Sequence, residues 1–157
     1  MRSSARRVLF LNCALTLSLV PCMQTPAQST RAAHEQAEIA VVGNDYAFIH
    51  FPATIGAGKT LFSFENRGKV RHEMSVVLLT SGVTLEQVAQ AGEKFNNRRV
   101  VDSLVGILVA RPGESSGGRL FVDLQPGRRY LVYCTLKDSP DAPRHTELGM
   151  ITSFEVK

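Results

Sequence analysis

Residues 129–156 read RYLVYCTLKDSPDAPRHTELGMITSFEV. Arg129–Thr135 is a short run rich in aromatic and β-branched residues, and Met150–Val156 is a second; both have the composition of β-strands. Between them lies a polar loop stiffened by Pro140 and Pro143. Cys134 falls near the end of the first strand, His145 in the loop, and Met150 at the opening of the second. That order lets three soft or borderline donors meet at one end of a sheet.

Working outward, the pattern stays β. Glu38–Val42 and Tyr46–Phe51 are short β-rich runs separated by the turn cluster Gly43-Asn44-Asp45. Pro52–Lys59 is turn-rich, Thr60–Glu65 alternates apolar and polar residues, and Asn66-Arg67-Gly68 is a further turn. Arg71–Leu79, Leu104–Ala110 and Arg119–Leu124 are the remaining strands, with a flexible loop at Pro112–Gly118 and a turn at Pro126-Gly127. One segment breaks the rhythm. In Thr84–Phe95 the apolar residues Leu85, Val88, Ala89 and Phe95 fall near helical spacing, with Thr84 as N-cap, which predicts one short helix. Phe95–Ser103, with Asn96, Asn97, Arg98 and Arg99, reads as a solvated surface turn. Strands at turn-punctuated intervals predict an antiparallel β-sandwich.

The N-terminus has a different character. Residues 1–7 are basic, Val8–Val20 is a short apolar run, and a polar stretch with small residues follows, the three-part layout of a secretory signal peptide. The apolar run has 13 residues and contains Asn12, whereas a spanning helix needs roughly 20. Thr25-Pro26-Ala27 offers small residues for cleavage, so 1–27 is read as the signal and 28–157 as one mature domain, periplasmic or secreted. Cys22 follows Leu19-Val20-Pro21, which resembles a lipoprotein box spoiled by the proline. No later segment is long and apolar enough to span a membrane. Of 18 Lys and Arg, three lie in the signal, leaving 15 against 14 Asp and Glu. A near-neutral domain without tryptophan is not the profile of a nucleic-acid binder.

The mature domain keeps one cysteine, Cys134. In an oxidising compartment a lone cysteine is inert and buried, reactive, or bound to something. With His72 upstream, the chain offers His72, Cys134, His145 and Met150. A trigonal His₂Cys set with a long axial Met is the donor set of a blue-copper electron-transfer centre. Each residue alone has a plainer reading, as core or as a satisfied strand residue; the order His, Cys, His, Met around one loop favours a ligand set. Met74 shares the strand face of His72 and is read as core, His50 as structural, and His34 as part of a polar tail.

On these residues the chain resembles the cupredoxins, the plastocyanin- and azurin-like blue copper proteins. The resemblance runs through FSFENRG, the His72-Glu73 strand start, LQPGRRY before YLVYC, and HTELGMITSFEV at the end. Four residues separate His145 from Met150, as in plastocyanin-like patterns; ten separate Cys134 from His145, a longer gap of the kind found in type 1 domains of copper nitrite reductases. The resemblance implies an all-β, cupredoxin-like antiparallel Greek-key β-sandwich with one short helix, binding one copper ion. His72, Cys134 and His145 would be equatorial ligands and Met150 the weak axial one. It also implies a protein redox partner, with His145 as the edge through which electrons leave. Asn66 or a nearby backbone group is expected to fix the His72 strand.

No nucleophile arrangement with an oxyanion-hole signature, Gly-rich phosphate loop, paired-carboxylate motif or His-X-His pair accompanies these residues, so an enzyme is not expected. Two other functions use the same chain: a Cu(I) chaperone or store working with a copper donor or acceptor, and a metal-free interaction module with Cys134 as a buried thiol.

Overall fold

In the stretch Gly58–Asn66, Thr60, Phe62, Phe64 and Asn66 are buried while the residues between them are partly exposed. This two-residue period presses one face of a strand onto a core and leaves the other to solvent. The computed structural model describes residues 36–91 and 99–157. The expected signal segment 1–27, His34 and the residues 92–98 lie outside the described residues.

Among the described residues nine strands and one helix follow in order: β1 Ala37–Asn44, β2 Ala47–Ile49, β3 Thr54–Ile55, β4 Gly58–Asn66, β5 His72–Leu79, α1 Leu85–Ala91, β6 Val101–Ala110, β7 Leu120–Leu124, β8 Arg129–Tyr133 and β9 Ile151–Val156. They form two sheets, β2-β1-β4-β7 and β3-β9-β8-β5-β6. The all-β sandwich with one short helix is therefore the architecture observed. Its sheets are mixed, since β1 with β4 and β3 with β9 pair in parallel. The reason is topological: after the β1–β2 hairpin the chain crosses to the other sheet as β3, then returns beside β1 running the same way.

The main core lies between the sheets. Phe62, Phe64, Val122 and Leu124 from one face Met74, Val76, Val132 and Phe154 from the other. Tyr130 stacks on Phe154 with ring centroids 5.1 Å apart. Met74 is core, as expected. β5 is buried along its whole length, because its second face is covered as well. Val77 and Leu79 pack there with Val88 of α1, Val100 and Val101. The helix starts with a reciprocal capping box: Thr84 N–H donates to Gln87 Oε1 (2.9 Å), and Gln87 N–H donates to Thr84 Oγ1 (3.3 Å).

Two further sequence expectations, besides the all-antiparallel pairing, need correction. The predicted surface turn ending at Ser103 includes buried Val100 and Val101; β6 starts three residues earlier than expected because these valines fill the gap beside α1. The predicted strand Tyr46–Phe51 shrinks to Ala47–Ile49. Tyr46 (φ 60°) and His50 (φ 50°) both adopt the left-handed conformation and end the strand on either side.

Candidate metal centre

His72 opens β5 and pairs across to Ala110 of β6. Asn66 makes that end rigid. Its side-chain amide donates to Val70 O (2.8 Å) and to Ala110 O (3.1 Å), and its Oδ1 accepts from Gly68 N–H (2.9 Å). The expectation that Asn66 fixes the His72 strand holds, and the means is a side chain that spans the turn and the neighbouring strand.

Cys134 follows β8 and Met150 precedes β9. The ten-residue gap does not carry His145 away, because most of the loop is pinched off as an excursion. His145 N–H donates to Leu136 O (2.9 Å) and Thr146 N–H to Cys134 O (2.9 Å), so the two loop ends run side by side. Met150 N–H donates to His145 O (2.8 Å), and Cys134 N–H to Met150 O (3.1 Å). Gly149, at φ 110°, takes a conformation that glycine accepts without the usual penalty.

The result is a buried donor cluster. The donor atoms of His72, Cys134 and His145 all lie within 4.8 Å of one another. The two Nδ1 atoms are 3.1 Å apart, and Cys134 Sγ is 3.2 Å from His145 Nδ1. His72, Cys134, His145 and Met150 are each at most 1% exposed. Met150 packs in the core cluster that contains Cys134 and Met74. Of the four expected ligands, His72, Cys134 and His145 thus converge through side-chain donors, and Met150 is tied to Cys134 and His145 through its backbone. His50 is exposed and belongs to no such cluster.

Groups around the cluster set its chemistry. Glu73 N–H points at Cys134 Sγ (3.3 Å), a donor that favours thiolate. Burial nevertheless pushes the Cys134 thiol up to about 11, with the backbone N–H groups of Glu73 and Leu136 pulling the other way. Burial, and then the neighbouring His145, hold the His72 imidazole below its ordinary value. Both effects favour the neutral forms of Cys134 and His72. Glu73 Oε1 accepts from both the N–H (2.9 Å) and the hydroxyl (2.8 Å) of Thr135, strapping the cysteine strand to the first histidine strand.

The far edge of His145 departs from expectation. Its ring is 1% exposed, and Asp138 Oδ1 sits 2.9 Å from Nε2. The other carboxylate oxygen of Asp138 accepts from Tyr46 hydroxyl. The Tyr46 ring lies edge-on to His145 and to His72, with centroids 5.0 and 6.1 Å away. Hydrogen bonds from Tyr46 and His145 hold the Asp138 carboxyl below the usual carboxylate range, and the same carboxylate raises the Tyr46 phenol. His145 is therefore not an open edge, because the ligand loop is long enough to fold a carboxylate back over it. Among the described residues His72 Nε2 has no hydrogen-bond partner; Asp45 Oδ1 is 3.7 Å away. Gly68 packs so close that a Cβ there would lie 2.9 Å from that nitrogen.

Sequence reasoning missed Tyr46, Asp138, Glu73 and Gly68. Asp138 carried a signal, being a carboxylate inside the ligand loop. Tyr46 did not, since nothing local links position 46 to position 145.

The donor set fits a copper ion of the blue type in kind: two imidazoles and one thiol, buried, with a methionine in the adjoining core. No family model matches the chain, and no curated protein does. Solved structures do resemble it. A dithionite-reduced auracyanin from the photosynthetic bacterium Roseiflexus castenholzii superposes with a TM-score of 0.52 at 16% identity, over 78% of this chain and 98% of that one. Auracyanin A, described as a "blue" copper protein from Chloroflexus aurantiacus, gives 0.52 at 18% identity over 78% and 99%. Auracyanin B gives 0.51 at 18% identity over 77% and 88%. The similarity covers most of those proteins and more than three quarters of this chain, so the fold of this chain is that of the blue copper proteins, the cupredoxin fold.

Proposed function

We propose that this protein binds one copper ion through His72, Cys134 and His145, with Met150 as a weak axial ligand, and works as an exported electron carrier for a protein redox partner. The observation that carries this reading is the buried convergence of the three donor atoms within 4.8 Å. The geometry at His145 agrees with it: Asp138 Oδ1 lies 2.9 Å from Nε2, and a carboxylate there would accept from Nε2–H and leave the Nδ1 lone pair toward Cys134 and His72. Bound copper would supply a one-electron couple that thiolate and thioether hold toward Cu(I) and imidazole accepts in both states.

The chain's own part is rigidity. His72 is set in a two-sided buried strand, and Cys134 and Met150 are locked by the ladder between their strands. Ligands that cannot move between oxidation states keep the reorganisation on electron transfer small. Auracyanin A, a protein of the same fold, is itself described as a blue copper protein, which supports the reading. The composition of residues 1–27 supports export. Among the described residues, no helix is long and apolar enough to cross a membrane.

The test is copper titration of the purified protein, following visible absorption and metal content, with Cys134→Ser alongside. One copper per chain with an intense thiolate-to-copper band, absent from the variant, is the expected result. Stoichiometric Cu(I) without that band replaces the carrier with a chaperone or store. No bound copper removes both and leaves an interaction module.

A further inference from the structure

We propose that Asp138 and Tyr46 are positioning residues for His145, locking its proton on Nε2 and sealing its outer edge; the inference rests on His145 serving as a ligand. Three observations carry it. The first is connectivity: the Asp138 carboxylate reaches His145 Nε2 with one oxygen (2.9 Å) and Tyr46 hydroxyl with the other. One anion thus joins the ligand loop to the β1–β2 turn, 92 residues away in sequence from Tyr46 to Asp138.

The second is the backbone of that turn. Tyr46 sits at φ 60°. A bulky residue in the left-handed region is uncommon and strained, and the surroundings must offset that strain. What the conformation achieves is to lay the ring edge-on against both histidines. The backbone carbonyl of the same residue lies beside Gly149, next to Met150.

The third is loop length. Asp138 stands on the excursion pinched off between Leu136 and His145. A loop short enough to join Cys134 directly to His145 would have no residue free to fold back over the ring. The added length therefore supplies the cover. A carboxylate on the far nitrogen of a ligating histidine fixes the tautomer and raises the basicity of the near nitrogen. With the edge covered, exchange of electrons with a partner passes across Tyr46 and Asp138 instead of a bare imidazole.

The experiment compares the full-length protein with Asp138→Ala, Asp138→Asn and Tyr46→Phe. The His145 ring nitrogens are read by ¹⁵N NMR on the metal-free proteins, and Cu(I) affinity by competition with a chromogenic chelator. In the wild type a slowly exchanging Nε2–H is expected. In Asp138→Ala that proton exchanges fast and copper affinity falls about 10–100-fold. Asp138→Asn keeps an oxygen acceptor and hence the tautomer, with a smaller loss of affinity. Tyr46→Phe keeps the ring and loses only the hydroxyl, so its loss is also partial. A proton on Nδ1 in the wild type overturns the proposal. So does an Asp138→Ala protein with unchanged exchange and unchanged affinity. If copper fails to bind the wild type while the Nε2–H and its dependence on Asp138 are seen, the copper reading falls and the positioning role stands.

Discussion

Asn66→Ala should be the most damaging single change at the metal end that touches no ligand. Asn66 is fully buried, and its side chain makes three hydrogen bonds: two donated to Val70 O and Ala110 O, one accepted from Gly68 N–H. Alanine removes all three and leaves two carbonyls and one N–H without those partners. At a net of about 0.5–1.5 kcal/mol per bond, the loss is about 2–4 kcal/mol. The backbone bonds of residue 66 to Glu114 and Gly113 survive the change, so the loss belongs to the side chain. Urea unfolding of the metal-free protein, followed by far-UV circular dichroism, measures it. With a slope of about 2 kcal/mol per molar urea, the midpoint falls by about 1–2 M. Asn66→Asp separates hydrogen bonding from packing. It keeps the shape and the acceptor but turns an oxygen toward two carbonyl oxygens, so it should cost at least as much as alanine. Copper affinity should fall in both variants, because Ala110 is the cross-strand partner of His72. An Asn66→Ala protein within about 0.5 kcal/mol of wild type, or an Asn66→Asp protein as stable as wild type, would refute the reasoning.

Gly68→Ala should weaken copper binding while changing secondary structure little, since a Cβ there falls 2.4 Å from Asp45 Oδ1 and 2.9 Å from His72 Nε2; competition titration checks it, and unaltered affinity counts against close packing at this edge. Metal-free protein should lose stability from pH 9 upward. The buried Cys134 thiol ionises at about 11 folded against 9.0 unfolded, so the unfolded chain releases its proton first and folding weakens as pH rises between those values, by about 2–3 kcal/mol in all. Urea midpoints across that range, compared with Cys134→Ala, isolate the effect; parallel pH profiles for the two proteins would contradict it. Glu73→Ala should cost about 1–3 kcal/mol by releasing the N–H and hydroxyl of Thr135, measurable by the same unfolding assay, and should broaden the spectrum of copper-loaded protein as the cysteine strand loosens.

The sandwich was legible in the chain because its signals are local. Period-two alternation in Thr60–Glu65, turn residues at Asn66-Arg67-Gly68 and Pro126-Gly127, and the N-cap at Thr84 each act within a few residues, and each appears where expected. The errors have non-local causes. Tyr46 and His50 look like strand residues by composition but lie in the left-handed conformation, which only contacts made elsewhere can impose. Val100 and Val101 follow a polar, Arg- and Asn-bearing stretch, so their burial against α1 could not be read from their neighbours.

The same division runs through the metal centre. The sequence by itself determined which donors are available, since Cys134 is the one cysteine of residues 28–157 and His145 and Met150 follow it on one loop. It could not decide whether a ten-residue gap holds His145 near Cys134. That depended on the bond from His145 N–H to Leu136 O, which shortens the loop by turning most of it outward. Nor could it show that Asp138 and Tyr46 cover the histidine or that Asn66 braces His72 against β6. The Tyr46–Asp138 and Asn66–Ala110 contacts join residues 92 and 44 apart in sequence, and their distances exist only once the two sheets have packed and brought their ends together.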